Sequence, residues 1–191
     1  MILVVGLGNP GPRYHATRHN VGWAVIDRLA ARAGHPAFGS KFRGQFAKVE
    51  LSGKPIGLLK PETYMNESGK SVQPAVQFFK LQPGAVLLVH DELDLGFGDV
   101  RLKQGGGDAG NRGVRSVTEA IGPDTLRLRI GIGKPPPEFR GDTADFVLQG
   151  FAQTERTELD SVLDRAAEAV VLVATQGISA AMNATNQRRP R

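Results

Sequence analysis

Ala85-Val86-Leu87-Leu88-Val89-His90-Asp91-Glu92 sets five apolar residues in unbroken succession before three that carry chemistry. A half-buried strand would alternate apolar and polar side chains. An uninterrupted run therefore predicts a central strand covered on both faces, ending abruptly at His90-Asp91-Glu92. Covered strands of this kind belong to α/β architectures, where ligands collect beyond the carboxyl ends of the strands. The end of this strand is the first place to look for a site.

The rest of the chain supports the same class. Ile2-Leu3-Val4-Val5 is a second short apolar strand, closed by Gly6, and Gly8-Asn9-Pro10-Gly11-Pro12 must be a loop. Val21, Ala24, Val25 and Leu29 fall at helical spacing over residues 20–33, with Asn20 as the expected N-cap and Gly34 and Pro36 as the stop. Two strands are expected at 45–51 and 56–59, joined by Ser52-Gly53-Lys54-Pro55, and then a helix over 67–80 closed by Gln82-Pro83-Gly84. Beyond the central run come a strand at 99–103, a loop at Gly105-Gly106-Gly107, a helix at 114–121 and a strand at 126–132. Lys134-Pro135-Pro136-Pro137 is a loop, and Leu159, Val162, Leu163 and Ala166 mark a long amphipathic helix over 154–175.

Strands interleaved with helices predict one α/β domain over residues 1–185, a twisted, mixed and largely parallel sheet with helices on both faces. Residues 186–191 carry three arginines and are expected to form a basic, disordered tail.

Composition narrows the chemistry. The 191 residues are 40% apolar and 23% charged, and none is cysteine. That excludes disulfides, thiolate catalysis and cysteine-bound zinc. A net charge of +5 favours an anionic partner. No apolar run approaches the length of a membrane span, and Met1-Ile2-Leu3 opens without the basic segment of a signal peptide, so the expected location is the cytoplasm.

Several motifs tempt and fail. Gly6-Leu7-Gly8-Asn9-Pro10-Gly11 fits a dinucleotide-binding fingerprint, but Pro12 delays the helix whose free N–H groups would hold a pyrophosphate. Gly69-Lys70-Ser71 resembles the end of a P-loop, yet Tyr64 stands where backbone wrapping needs glycine. His15 and His19 have a metal-ligand spacing only if a helix spans them, which Pro12 and the Asn20 cap oppose. Asp91, Glu92 and Asp94 could bind a hard cation, though a tight acidic turn more often simply ends a strand. No G-x-S-x-G elbow occurs. No cofactor and no metal is expected.

What survives is a histidine and an aspartate at two strand ends. If they meet, Asp91 would accept the imidazole Nδ1–H of His19 and leave Nε2 free to take a proton from water. The plainer alternative keeps His19 as a capping or core residue and Asp91 as the end of a strand. Asn9, Asn66 and Asn111 fall in loops or at helix starts, where their amides could hold an oxyanion or serve only as turn and cap residues.

Five stretches together resemble the bacterial peptidyl-tRNA hydrolases: VGLGNPGPRYHATRHNVG from Val5, KPETYMNESGKSV from Lys60, HDELDLGFG from His90, LKQGGGDAGNRG from Leu102 and RLRIGIGKP from Arg127. They follow the family's order to about residue 150. The resemblance implies a metal-free α/β enzyme that cuts the ester between a peptide and the terminal ribose of tRNA, recycling tRNA released early from ribosomes. It implies His19 as catalytic base and Asp91 as the acid that keeps it basic. It also implies Asn9 as the group that distinguishes a blocked aminoacyl group, and Asn66 as a substrate and water ligand. Tyr14 and Tyr64 match aromatic positions of the cleft, and Lys103 and Arg129 match grips on tRNA phosphate.

One departure stands out. Where the family reads His-Asn-Gly, this chain has Asn111-Arg112-Gly113. The expectation is that Asn111 supplies the missing amide from one residue earlier, the alternative being direct phosphate contact by Arg112. A monomer that takes the acceptor end of peptidyl-tRNA, without membrane or obligate protein partner, is expected. Two other readings stay open: a dinucleotide-dependent oxidoreductase using the loop of residues 6–11, and a non-catalytic RNA-binding module.

Overall fold

The structure is a computed structural model and describes residues 1–187. The apolar run at 85–89 lies within β5 (Val86–Glu92), and all seven of its residues are buried. Contrary to expectation the strand does not stop at His90. Pairing with β7 (Leu126–Gly131) continues to the Glu92–Gly131 pair, and the ladder carries the three polar residues with it.

β5 belongs to a seven-stranded sheet that also contains β1 (Ile2–Gly6), β2 (Gly39–Lys41), β3 (Gly44–Leu51), β4 (Lys54–Pro61) and β6 (Val100–Gln104). The order is β2-β3-β4-β1-β5-β7-β6. β4, β1, β5 and β7 are parallel, while β2, β3 and β6 add antiparallel pairs at the two edges.

Successive residues of a strand point to opposite faces, and two apolar layers result. Val4, Leu87 and Val89 pack with Val25 and Leu29 of α1 (Val21–Arg32) and with Val162 and Ala166 of α5 (Gln153–Gln176). Leu3, Val5 and Leu88 pack with Val72 of α2 (Gly69–Phe79) and Val114 of α3 (Arg112–Ile121). The sheet is mixed, with a parallel centre and helices on both faces.

Three short elements lie outside the sequence reading: β2, α4 (Thr143–Val147) and α6 (Ile178–Thr185). After α6, Asn186 accepts a hydrogen bond from Leu102 N at 2.7 Å and donates one to Leu102 O at 2.8 Å. Its amide imitates a neighbouring strand and covers the exposed edge of β6. The first residue of the expected tail thus bonds to the sheet, and residues 188–191 lie outside the described residues. Among the described residues no helix is long and apolar enough to cross a membrane.

Because four central strands are parallel, their carboxyl ends share one rim of the sheet. Gly22 brings α1 hard against that rim. A Cβ there would collide with the Val89 carbonyl oxygen and the Leu7 backbone, so any other residue would push the helix away. Residue 19, one turn earlier, is held close to the end of β5.

Candidate active site

The loop after β1 is fixed by its own asparagines. Asn20 occupies the N-cap position of α1 but makes no capping bond. Its side chain instead accepts from Asn9 N and donates to Asn9 O, both at 2.9 Å. Asn9 is buried, and a buried main chain without partners would be costly; that need outweighs the cap. Asn9 Oδ1 in turn accepts from Met65 N at 2.8 Å. This orients the amide and leaves Nδ2 as its remaining donor.

These bonds also bear on the dinucleotide reading. Leu7 N donates to Val89 O, and Asn9 N is taken by Asn20. No helix opens after Gly11; the next is the single 3-10 turn Arg18–Asn20. Two N–H groups of this loop are thus already engaged, and no helix N-terminus follows directly to hold a pyrophosphate.

His19 sits in that turn, so it does not share a helix face with His15. Its Nδ1 lies 2.8 Å from Asp91 Oδ2, and both side chains are largely buried. The neighbouring Arg18 secures the turn: its guanidinium stacks on Phe146 at 4.0 Å and pairs with Glu155 at 3.1 Å. Asp91 Oδ1 accepts from Asn111 Nδ2 at 3.1 Å. Asn111 Oδ1 caps α3, accepting from Gly113 N at 3.0 Å and Val114 N at 3.1 Å. The amide of Asn111 is thus engaged at both ends within the protein.

Burial alone would lower the pKa of His19. The adjacent Asp91, by its charge and its hydrogen bond, outweighs that and holds His19 above its ordinary value, while Arg112 pulls the other way. With the carboxylate accepting from Nδ1, the neutral ring carries its lone pair on Nε2.

A cleft of about 440 Å³ opens beside the pair, within the range of small-ligand sites. Asn9, His19, Tyr64, Asn66, Asp91 and Arg112 are among its walls, and α4 contributes Thr143 and Val147. Asn66, Tyr64 and Arg112 are exposed. Tyr14 is not part of the lining; its ring lies under the Arg13 guanidinium at 5.3 Å.

Lys103 and Arg129 stand outside the cleft, on β6 and β7. Lys103 is directly across from Arg127, and Arg101 is across from Arg129. Like charges at directly opposed positions repel; Arg101, Lys103 and Arg129 are half-buried, whereas Arg127 is fully buried. Burial, then Arg129 and Arg127, lower the pKa of Lys103. Glu92, which lines the cleft, lies 3.9 Å from Arg129 Nη1; burial raises its pKa.

Arg127 packs beside Lys103, Arg18 secures the turn of His19 and α4 lines the cleft, none of which the sequence predicts. Arg127 is fully buried and donates to Gly107 O at 2.9 Å, Pro123 O at 3.2 Å and Thr125 Oγ1 at 2.9 Å, tying down the glycine-rich segment. The two-residue spacing of Arg127 and Arg129 could have revealed it, since that spacing puts both on one face of a strand. Among the described residues no group of three or more His, Cys, Asp or Glu is placed to hold a metal ion, and Asp91, Glu92 and Asp94 do not converge.

Comparison with known proteins places the whole chain in one family. The family model described as peptidyl-tRNA hydrolase matches residues 3–191. A protein of that name from Sorangium cellulosum is 52% identical over 189 residues, covering 98% of this chain and 85% of its own. One from Mycolicibacterium vanbaalenii is 49% identical over 184 residues, 95% of each chain. The crystal structure of peptidyl-tRNA hydrolase from Acinetobacter baumannii superposes with a TM-score of 0.90 at 39% identity, covering 100% of this chain and 97% of that one. A fold shared end to end, with identity of this order, leaves one assignment: the chain belongs to the peptidyl-tRNA hydrolase family.

Proposed function

We propose that this enzyme hydrolyses the ester joining a peptide, or an N-blocked aminoacyl group, to the terminal ribose of tRNA, and so recycles tRNA from peptidyl-tRNA released early in translation. The family assignment supports the substrate, and one observation carries the mechanism: the 2.8 Å contact between His19 Nδ1 and a buried Asp91 carboxylate at the wall of an open cleft.

His19 Nε2 takes a proton from water as the oxygen attacks the ester carbonyl. Charge develops on the carbonyl oxygen, and Asn9 Nδ2, pre-oriented by Met65, is the donor that meets it. When the tetrahedral intermediate collapses, the C–O bond to ribose breaks and the imidazolium returns its proton to the leaving hydroxyl. Asp91 does not itself move a proton; it fixes the tautomer and stabilises the transient cation. An ester is activated enough for this to suffice, general base catalysis supplying roughly 10²–10⁴-fold.

Asn66 holds the water or the peptide, and Tyr64 offers a ring to the single-stranded acceptor end, as Tyr14 does further out. Arg112, Lys103 and Arg129 contact phosphates, which position the tRNA without reading its sequence. The enzyme acts as a cytoplasmic monomer.

The test is release of N-acetyl amino acid from N-acetyl-aminoacyl-tRNA by the full chain. His19→Ala is expected to lose at least about a hundredfold in kcat while tRNA binding stays near wild type. Full turnover in that variant ends this mechanism. Binding without turnover in the wild-type protein would favour the RNA-binding module.

A further inference from the structure

Asn111 occupies a bridging position. Its oxygen takes two main-chain N–H groups from the first turn of α3, which fixes which end of the amide is nitrogen. The nitrogen must then face Asp91, and it does, 3.1 Å from Oδ1. The other carboxylate oxygen, Oδ2, belongs to His19. Asp91 is therefore held by two donors, one on each oxygen. A carboxylate with a single donor can swing about its last side-chain torsion; one held at both oxygens cannot do so without losing a bond.

Asn111 is itself anchored. Its main-chain N donates to Asp108 O at 2.9 Å, and its carbonyl accepts from Arg115 N at 3.1 Å. Asp108 accepts from Gly110 N at 2.8 Å and pairs with Arg115 at 2.9 Å. The segment before α3 is thereby built into a fixed corner, and the corner presents one amide to the acid of the pair.

We propose that Asn111 is a positioning residue for the hydrolysis, acting through Asp91 to hold His19 in its Nδ1–H tautomer, and that Arg112 is the charged side chain this corner presents to substrate. The proposal rests on His19 and Asp91 working as described above. It separates two duties of one side chain: capping a helix, which many residues can perform, and gripping the carboxylate, which needs an N–H at that distance.

The two duties can be separated by substitution. Asn111→Ser and Asn111→Thr keep a good N-cap, but neither hydroxyl is long enough to reach Oδ1. Both variants should melt within a few degrees of wild type. Their kcat should fall about ten- to a hundredfold, as when groups that orient a functional residue are lost, with KM changed less than about twofold. In an Asp91→Ala background the same substitution should cost nothing further, since the route through the carboxylate is already gone.

Nitrogen NMR of His19 gives a reading that needs no substrate. The neutral ring of the wild type should populate the Nδ1–H tautomer, and Asn111→Ser should mix the two. Wild-type kcat with an unmixed tautomer in either variant overturns the proposal, and so does an undiminished loss in the Asp91→Ala background. His19→Ala, run alongside, keeps the two ideas apart. If it retains turnover the base assignment fails, while the tautomer measurement still decides the role of Asn111.

Discussion

His19 and His90 meet Asp91 from opposite faces of the sheet, each through Nδ1 at 2.8 Å, and their pKa values move in opposite directions. His19 reaches the side-chain carboxylate; His90, one residue before Asp91 on β5, reaches the main-chain carbonyl. Both rings are buried, and burial alone would strip the charge from either. At His19 a full negative charge offsets that cost and raises the pKa. At His90 burial dominates and lowers it to about 4; the hydrogen bond to the Asp91 carbonyl and the Asp91 charge offset only part of that, and Arg127 and Lys103 add repulsion. One imidazole holds its proton more tightly than a free ring; the other is a neutral core residue whose Nε2 has no partner among the described residues. The alternation of a strand assigns the roles. The two rings differ in that only His19 adds a direct hydrogen bond with the carboxylate to the attraction of its charge, and there the sum outweighs burial.

Removing that charge should break the contrast. In Asp91→Asn, His19 would face a neutral partner as His90 does, so burial would win and the ring would titrate below its ordinary value. Activity should fall by tens- to thousands-fold, because an amide no longer enforces the productive tautomer. The measurement is kcat/KM against pH, the two proteins being compared on the alkaline plateau where activity no longer changes with pH and the ring is neutral in both. A loss of less than about threefold would show that Asp91 does not steer the base.

The contrast sharpens in stability. His90 has a folded pKa of about 4 against an unfolded value of roughly 6.5. Between these pH values the unfolded chain binds a proton that the native state refuses. Its contribution is complete above roughly pH 6.5 and is lost as pH falls toward 4, on the order of 3 kcal/mol in all. His19 has the opposite sign: its raised pKa stabilises the fold below its unfolded value, and that contribution is lost as pH rises through the folded one. The two windows adjoin rather than cancel. Urea unfolding of His90→Gln at pH 7 and pH 4.5 should show a much smaller acid loss than wild type. An equal loss would mean His90 is not the group that is protonated.

How much of this was legible in the sequence depended on how far each feature reaches. The continuous apolar run at 85–89 announced a covered strand, because burial on both faces leaves a local signature. Its continuation through Asp91 did not, since pairing with β7 is set by residues some forty positions away. Asn20 precedes a helix and so has the position of a cap, yet the buried main chain of Asn9 claims its amide. Asn111 was the converse: the cap could be read from its position, but the bond to Asp91 required β5 and α3 to meet. α4 has five residues, of which only Phe146 and Val147 are buried, too few to make a periodic pattern. The pairing of His19 with Asp91 could be framed as a question about strand ends, and only the fold could bring the two together.

The smallest expected effect is the most discriminating for the corner at α3. Arg112 lines the cleft and disfavours the charged form of His19. A base must be neutral to act, so the acid limb of kcat/KM follows the pKa of His19 and lies above its ordinary value. Arg112→Ala removes a repulsion, so the pKa rises and the limb moves to higher pH; Arg112→Glu moves it further the same way. The shift is modest because Arg112 is exposed and solvent screens it. The same substitution should raise KM and flatten the salt dependence of tRNA binding by about one phosphate contact. The two readouts test different things. A shifted limb with an unchanged salt slope would make Arg112 an electrostatic neighbour of the base and nothing more. A limb that stays put or moves to lower pH would mean that its charge is not felt at His19, and that the corner built around Asn111 presents to the substrate a cation with no influence on the base.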